Sequence, residues 1–146
     1  MLAISTLAYW LISTLYLKAF MAVLNYDPSD GELEILQVIW ALQPVTVREV
    51  YARILLKKNV GYTTVLKQIQ RLTEKGVLQK TIAAGVHYYQ SQLPELNAKA
   101  QLAQKVLQTA FGGSSVDMLR CALGNDTTPM EELVALRAWL DRQLGV

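Results

Sequence analysis

The sequence contains one cysteine, Cys121, and one histidine, His87, among its 146 residues. A single cysteine excludes an internal disulfide, and this pair cannot supply the Cys and His ligands of a zinc site. A Ser-His-Asp or Cys-His catalytic group would depend on His87 alone, and no partner residue is evident. Gly112-Gly113 lacks the Lys-Ser or Lys-Thr that follows in a phosphate-binding loop. We therefore expect no catalytic residue, no metal and no cofactor.

Charge is spread unevenly along the chain, although the formal net charge is only +2. Residues 44–90 carry eight Lys and Arg side chains against two acidic ones, whereas residues 1–43 sum to −3 and residues 91–146 to −1. A basic middle third between acidic flanks is typical of a chain that binds a polyanion. A solvated charged surface gives the same pattern, so charge alone does not decide.

Charge is absent from residues 1–17, and Lys18 is the only charged residue before Asp27. Nineteen of the first 24 residues are apolar, and a run of about 20 can cross a bilayer as a helix. The run lacks the basic start and the cleavage site of a signal peptide. Met21 offers a second start, so we favour residues 1–20 as an upstream extension and keep a membrane anchor over residues 1–24 as the alternative.

Helix starts are marked by three capping boxes, at Ser29–Glu32, Thr46–Glu49 and Thr128–Glu131, the last with Pro129 expected at the first helical position. Apolar spacing and helix-ending glycines complete the pattern. The sequence predicts helices over about 30–42, 47–57, 63–75, 95–110, 116–123 and 129–144.

The predicted helix at 63–75 has two unlike sides. Its apolar side carries Val65, Ile69 and Leu72, and its opposite side carries hydroxyls, amides and cations. A short turn separates it from the helix before it, which indicates a helix-turn-helix. After Gly76 the period changes to two, and Ala83-Ala84-Gly85 can turn the chain, so we expect a small hairpin, or wing.

The fold class predicted is mainly α with a small β-hairpin wing: a winged helix-turn-helix domain over 25–92, followed by a helical module over 93–146. The last three helices hold more apolar side chains than a compact monomer of this size buries, so we expect them to form a homodimer. Packing on the winged domain is the alternative. Cys121 is expected to be a buried, inert thiol. The candidate dimerisation residues are Val106, Ala110, Phe111, Leu119, Leu123, Leu133, Leu136 and Leu140.

Candidate DNA-binding residues follow from placing the helix at 63–75 in a major groove. Side chains at its start can bond a phosphate or a base edge, those on its polar side can reach base edges, those before it can clamp the backbone, and the wing can touch a phosphate or the minor groove. The candidates are Thr46, Arg48, Tyr62, Thr63, Thr64, Lys67, Gln68, Arg71, Lys80 and His87.

Several segments resemble the penicillinase repressor family (the BlaI, MecI and CopY type). They are GELEILQVIW (31–40), PVTVREVYARI (44–54), GYTTVLKQIQRLTEKGVLQK (61–80) and FGGSSVDML followed by EELVALRAWLDR. The resemblance covers about residues 27–144 and agrees with a start at Met21. It implies a winged-helix DNA-binding domain, a helical dimerisation domain, and a homodimer that blocks a promoter from a palindromic double-stranded operator.

Three departures from the family pattern affect the inducing signal and the wing. Some members of the family are cut at an Asn-Phe bond after a signal from a membrane sensor-protease. The aligned residues of this chain are about Gln104-Lys105, so a β-lactam response by that route is not expected. Copper-responsive members carry a C-terminal Cys-x-Cys pair, and only Cys121 is present here. The wing has Gly85-Val86 in place of Gly-Arg. The resemblance implies an upstream sensor or protease without identifying it.

We expect a cytoplasmic, DNA-binding transcriptional repressor. The alternative is a membrane-tethered winged-helix adaptor, anchored through residues 1–24, that binds protein rather than DNA. A hydrolase centred on His87 ranks far below both.

Overall fold

The computed structural model describes residues 2–146, with side chains described from residue 6 onward. That part of the chain forms helices α1 (Leu2–Leu24), α2 (Asp30–Leu42), α3 (Val47–Leu55), α4 (Tyr62–Glu74), α5 (Glu95–Phe111), α6 (Ser115–Leu123) and α7 (Met130–Leu144), and the antiparallel strands β1 (Leu78–Ala83) and β2 (Val86–Ser91). The predicted fold class is confirmed. Helices α2 to α7 lie within two residues of their predicted bounds at each end.

The described chain divides into two compact units. The first ends at Leu102 and contains α1 to α4, the hairpin and the start of α5. The second spans Ala103–Val146 and contains the rest of α5, α6 and α7. The predicted functional boundaries at 1–24, 25–92 and 93–146 stay predictions.

The core of the first unit is one cluster of apolar side chains from α2, α3, α4 and the hairpin. Helix α4 contributes Val65, Ile69 and Leu72, each 0–1% exposed. Around them lie Ile35, Leu36, Ile39, Val45, Val47, Val50, Ile54, Val77, Leu78, Tyr89, Leu93 and Ala98. The predicted apolar side of α4 therefore faces this core, which fixes the rotation of the helix about its axis.

Reciprocal capping boxes begin α2 and α3, as predicted. At α2 the Ser29 N–H donates to Glu32 Oε2 at 3.0 Å and the Glu32 N–H donates to Ser29 Oγ at 3.4 Å. At α3 the Thr46 N–H donates to Glu49 Oε2 at 2.8 Å and the Glu49 N–H donates to Thr46 Oγ1 at 3.3 Å. These bonds satisfy N–H groups that the first helical turn cannot pair.

The predicted capping box at α7 is wrong. Pro129 occupies the N-cap position, and no side chain caps the helix there. The helix begins at Met130, so Pro129 precedes the first helical position and Thr128 lies one residue too early. Glu131 then stands at the second helical position, and the spacing between cap and third position that the motif requires is lost.

A Schellman motif carries the chain from α4 into the hairpin. Gly76 has φ +78, the Gly76 N–H donates to the Thr73 carbonyl at 3.0 Å, and the Val77 N–H donates to the Leu72 carbonyl at 3.0 Å. The hairpin itself turns at Ala84-Gly85, where both residues have positive φ, as a two-residue type I′ turn requires.

A short bridge attaches the hairpin to the segment between α2 and α3. The Val45 N–H donates to the Tyr89 carbonyl at 3.0 Å, and the Tyr89 N–H donates to the Val45 carbonyl at 2.8 Å. The Trp40 indole N–H donates to the Leu93 carbonyl at 2.9 Å just beyond β2. These contacts fix the base of the hairpin on the helical core.

Glu32 is a buried carboxylate that joins three segments of the first unit. Its side chain is only 7% exposed. It accepts hydrogen bonds from the Tyr26 hydroxyl at 2.8 Å and from Lys75 Nζ at 3.4 Å, in addition to the Ser29 N–H. Burial alone raises the pKa of Glu32, but the bonds from Ser29 and Tyr26 and the charge of Lys75 outweigh it and hold the pKa below its ordinary value.

Glu32→Gln keeps the size of the side chain and removes its charge. We expect a loss of about 1–3 kcal/mol of unfolding free energy at pH 7, because three donors lose a charged acceptor. Since folding lowers the pKa of Glu32, this stabilisation is present above the unfolded pKa and disappears as the pH falls through the folded pKa. Urea denaturation from neutral to acidic pH should show the variant and the wild type converging, and an unchanged gap would contradict the assignment.

Candidate functional site

The outward face of α4 is polar and cationic. Thr63, Thr64, Lys67 and Arg71 are exposed, on the side opposite the buried stripe. Among the described residues, neither Lys67 nor Arg71 takes part in a salt bridge. Two exposed cations and two hydroxyls thus lie on a face whose rotation is set by the core.

The first turn of α4 also leaves backbone donors open. Gly61 is the N-cap and provides no side-chain hydrogen bond. The Gly61 carbonyl accepts from the Thr64 and Val65 N–H groups at 3.1 and 3.3 Å, which leaves the N–H groups at the very start of the helix to an outside acceptor. Such a helix start favours an anion such as a phosphate.

Thr46 and Arg48 lie at the start of α3, but the structure gives them different surroundings. The Thr46 hydroxyl is half-buried and bonds the Glu49 carboxylate at 2.9 Å, so it serves the cap of α3. These bonds from the Thr46 backbone N–H and hydroxyl lower the pKa of Glu49. Arg48 is exposed.

A groove of about 670 Å³ runs between α3, α4 and the hairpin. It brings together five of the candidate residues, Thr46, Arg48, Tyr62, Lys80 and His87. Its lining also includes apolar and aromatic surface from Val47, Leu66 and Tyr89. The cations Arg48 and Lys80 outnumber the one carboxylate of the lining, that of Glu74, so the groove is suited to a polyanion that follows it.

Tyr62 is held in place by Tyr51 of α3, which is not among the candidate residues. The rings of Tyr51 and Tyr62 meet edge to face with centroids 5.4 Å apart. Gln70 also lines the groove and was not predicted as a site residue. Its position was hidden from the sequence because it depends on where the hairpin packs against α4.

Gln68 lies on α4 and does not line the groove. Its side chain is half-buried, and a Cβ added at Gly31 would lie 2.8 Å from Gln68 Nε2. The amide therefore lies against the first turn of α2, where glycine leaves room for it. Its predicted contact with a base edge stays a prediction.

The second unit exposes the apolar side chains predicted for dimerisation. Neither α6 nor α7 has a buried residue. Val106, Leu119 and Leu140 are 37–39% exposed; Ala110 is exposed, and Phe111, Leu123, Leu133 and Leu136 are half-buried. Cys121 is exposed, so the expectation of a buried thiol is wrong, because α6 has no protein covering it.

Two further properties of the described part of the chain concern metal binding and membrane crossing. Within it, no group of three or more His, Cys, Asp or Glu side chains is arranged to hold a metal ion. One helix there is long and apolar enough to cross a membrane, over Thr6–Leu24, judged by length and composition only.

Comparison with known proteins places these features in context. The family model described as Penicillinase repressor matches residues 28–142. The penicillinase repressor of Staphylococcus aureus is 24% identical over 117 residues, which covers 80% of this chain and 93% of that protein.

Two solved structures are also similar. The solution structure of the Bacillus licheniformis BlaI monomeric form, in complex with the blaP half-operator, is 26% identical, covers 49% of this chain and 88% of that one, and has a TM-score of 0.45. A MarR family protein from Bacillus stearothermophilus is 16% identical, covers 98% and 91%, and also has a TM-score of 0.45.

Thr46→Ala tests whether the hydroxyl at the start of α3 stabilises the fold. We expect the free energy of unfolding to fall by about 1 kcal/mol, because the cap of α3 is lost. Thr63→Ala, at an exposed position near the start of α4, should change it by less than about 0.5 kcal/mol. Thermal denaturation followed by circular dichroism compares the two. Equal melting temperatures for both variants and the wild type would show that Thr46 is not a stabilising cap.

Proposed function

The chain belongs to the penicillinase repressor family and is thereby a DNA-binding transcriptional repressor, and we propose that it acts as a cytoplasmic homodimer on a palindromic operator. The observation that carries the proposal is the exposed cationic face of α4, with Lys67 and Arg71 free of salt bridges among the described residues. A repressor needs such a face to be exposed and held in a fixed orientation. The buried apolar side of α4 fixes that orientation.

In the proposed complex α4 enters the major groove. Arg71 and Lys67 extend from the outward face toward base edges, where guanine offers paired acceptors. Thr63 and Thr64, with the open N–H groups of the first turn, bond a backbone phosphate. Base contacts supply the sequence preference, and phosphate contacts fix the position of the helix on the duplex.

The groove beside α4 follows the sugar-phosphate backbone in this proposal. Arg48, Lys80 and His87 line it together with Tyr62. Neutralising phosphates releases condensed counterions, so these contacts make the affinity fall steeply as salt rises. The hairpin is attached through the Val45–Tyr89 bridge, so Lys80 and His87 are presented from a fixed base.

The second unit supports the dimer. Its helices expose leucine, valine and alanine side chains that one chain leaves without protein cover, and surfaces of this kind mark association sites. A two-fold dimer presents two copies of α4 related by symmetry, and the operator then carries the same symmetry. Blocking a promoter needs no chemical step, so we propose neither a cofactor nor catalysis.

Lys67→Ala and Arg71→Ala should each weaken binding by about tenfold or more, because each variant loses a contact to a base edge. The probe is a duplex that the full chain selects from a random library, titrated by fluorescence anisotropy at several salt concentrations. Arg142→Ala, in the last turn of α7, removes the same charge elsewhere and should bind as the wild type does. Wild-type affinity for both α4 variants would refute the role of this face, and failure to select any duplex would favour a protein-binding adaptor.

Leu140→Glu places a charge on the exposed apolar surface of α7. We expect the wild type to sediment as a dimer and this variant to shift toward the monomer, because a carboxylate is costly to bury at an apolar interface. Leu56→Glu is the control, because Leu56 is 78% exposed in the first unit. This variant should remain dimeric. Sedimentation equilibrium in a density-matched detergent reports the mass. A monomeric wild type, or an unaffected Leu140→Glu dimer, would contradict the proposed interface.

A further inference from the structure

Helix α1 stands out because the structure gives it no protein surroundings over most of its length. The span Thr6–Leu24 has a mean hydropathy of 1.6, and none of its most apolar window is buried. Trp10 is 70% exposed and Tyr16 is 76% exposed. A helix with so many uncovered apolar side chains is not at its lowest free energy in water alone.

The apolar side chains surround α1 instead of forming one stripe. Leu11, Ile12, Leu15 and Leu17 fall at different angles around the axis, and all are more than half exposed. A protein groove covers one side of a helix, and a helix that docks in one shows a polar side opposite. Hydrocarbon covers every side at once, so the pattern fits lipid better than a partner protein.

The length of α1 also fits a lipid bilayer. Its 23 residues extend about 34 Å at 1.5 Å per residue, close to the hydrocarbon thickness of about 30 Å. An α-helix pairs the backbone groups of its middle turns internally, as a lipid environment demands.

We propose that α1 crosses a lipid bilayer and tethers the winged unit, made of α2 to α4 and the hairpin, to its cytoplasmic side. Residues 1–17 carry no Lys or Arg, and Lys18 lies toward the carboxyl end of the span. Basic residues favour the cytoplasmic side, and the Lys18 side chain can extend toward that interface. The anchoring goes beyond the proposed function and does not depend on it, whereas the orientation also agrees with a unit that binds DNA.

The junction between α1 and the winged unit lies beside α4 and α5. A Cβ added at Gly76 would lie 3.7 Å from Val23 Cγ2, and the Gln101 amide donates to the Leu24 carbonyl. The Gly76 contact places the end of α1 near the carboxyl end of α4, and the Gln101 bond joins it to α5. Arg71 lies in the last turn of α4, so the contacts proposed for α4 extend toward this junction, and its first turn lies about 20 Å away along its 13 residues.

The first test is fractionation of the untagged full chain from cells, with the N-terminal peptide identified by mass spectrometry in each fraction. The proposal expects a chain that retains α1, sediments with membranes and resists alkaline carbonate extraction. A full-length soluble chain overturns it. So does a product that begins at Met21 or beyond, whether by internal initiation or by cleavage.

Charged substitutions in the middle of the span provide the matched comparison. Leu11→Arg with Leu15→Arg should lower the ratio of membrane-bound to soluble chain about tenfold or more, because arginine near the bilayer centre is costly. Leu56→Arg adds a charge at a comparably exposed leucine in the winged unit and should leave the ratio unchanged. Retention of the double variant in carbonate-washed membranes overturns the proposal.

Cys121 provides an independent test of orientation, because it is the only cysteine in the sequence and it is exposed. In sealed right-side-out vesicles that hold the wild-type chain, a membrane-impermeant maleimide should label it only after the vesicles are opened. Labelling of sealed vesicles would overturn the cytoplasmic placement. Duplex binding by the chain in detergent is measured separately, so failure of the anchor and failure of the proposed function are distinguished.

Discussion

The burial of one side of α4 is the constraint on which the rest of the first unit depends. Val65, Ile69 and Leu72 are almost completely removed from water, and each such side chain stabilises the fold by about 1.5–3 kcal/mol. Rotating α4 by half a turn would expose this stripe and bury Lys67 and Arg71 without partners, at a high cost in desolvation. The apolar side therefore decides which side chains face outward, and the candidate interface is a consequence of the core.

Local hydrogen bonds place the hairpin beside α4, where it forms a second wall of the groove. The Schellman motif at Gly76 sends the chain directly from α4 into β1, and the bridge between Val45 and Tyr89 holds β2 against the segment that precedes α3. The start of α3, the start of α4 and the hairpin then enclose one groove. Lys80 and His87 reach it only because both contacts fix the hairpin at its base.

Much of this could be predicted from the sequence, since the strongest patterns are local. The boxes at Ser29 and Thr46 and the glycine after α4 each act within a few residues, so their outcome needed no tertiary information. The α7 box failed because Pro129 took the N-cap position, a choice of one residue that spacing does not resolve. Gln70 was missed as a groove residue, and the contact between Gln68 and α2 was not predicted, because their surroundings come from the hairpin and α2, which are distant in sequence.

The most direct test of the account is where on DNA the full chain makes its contacts. Methylation of guanine N7 blocks the major groove alone, so interference mapping on a selected duplex identifies the groove that α4 enters. The account predicts two symmetric clusters of interfering guanines, about one helical turn apart. Binding that is indifferent to N7 methylation, or a single cluster without symmetry, would contradict it.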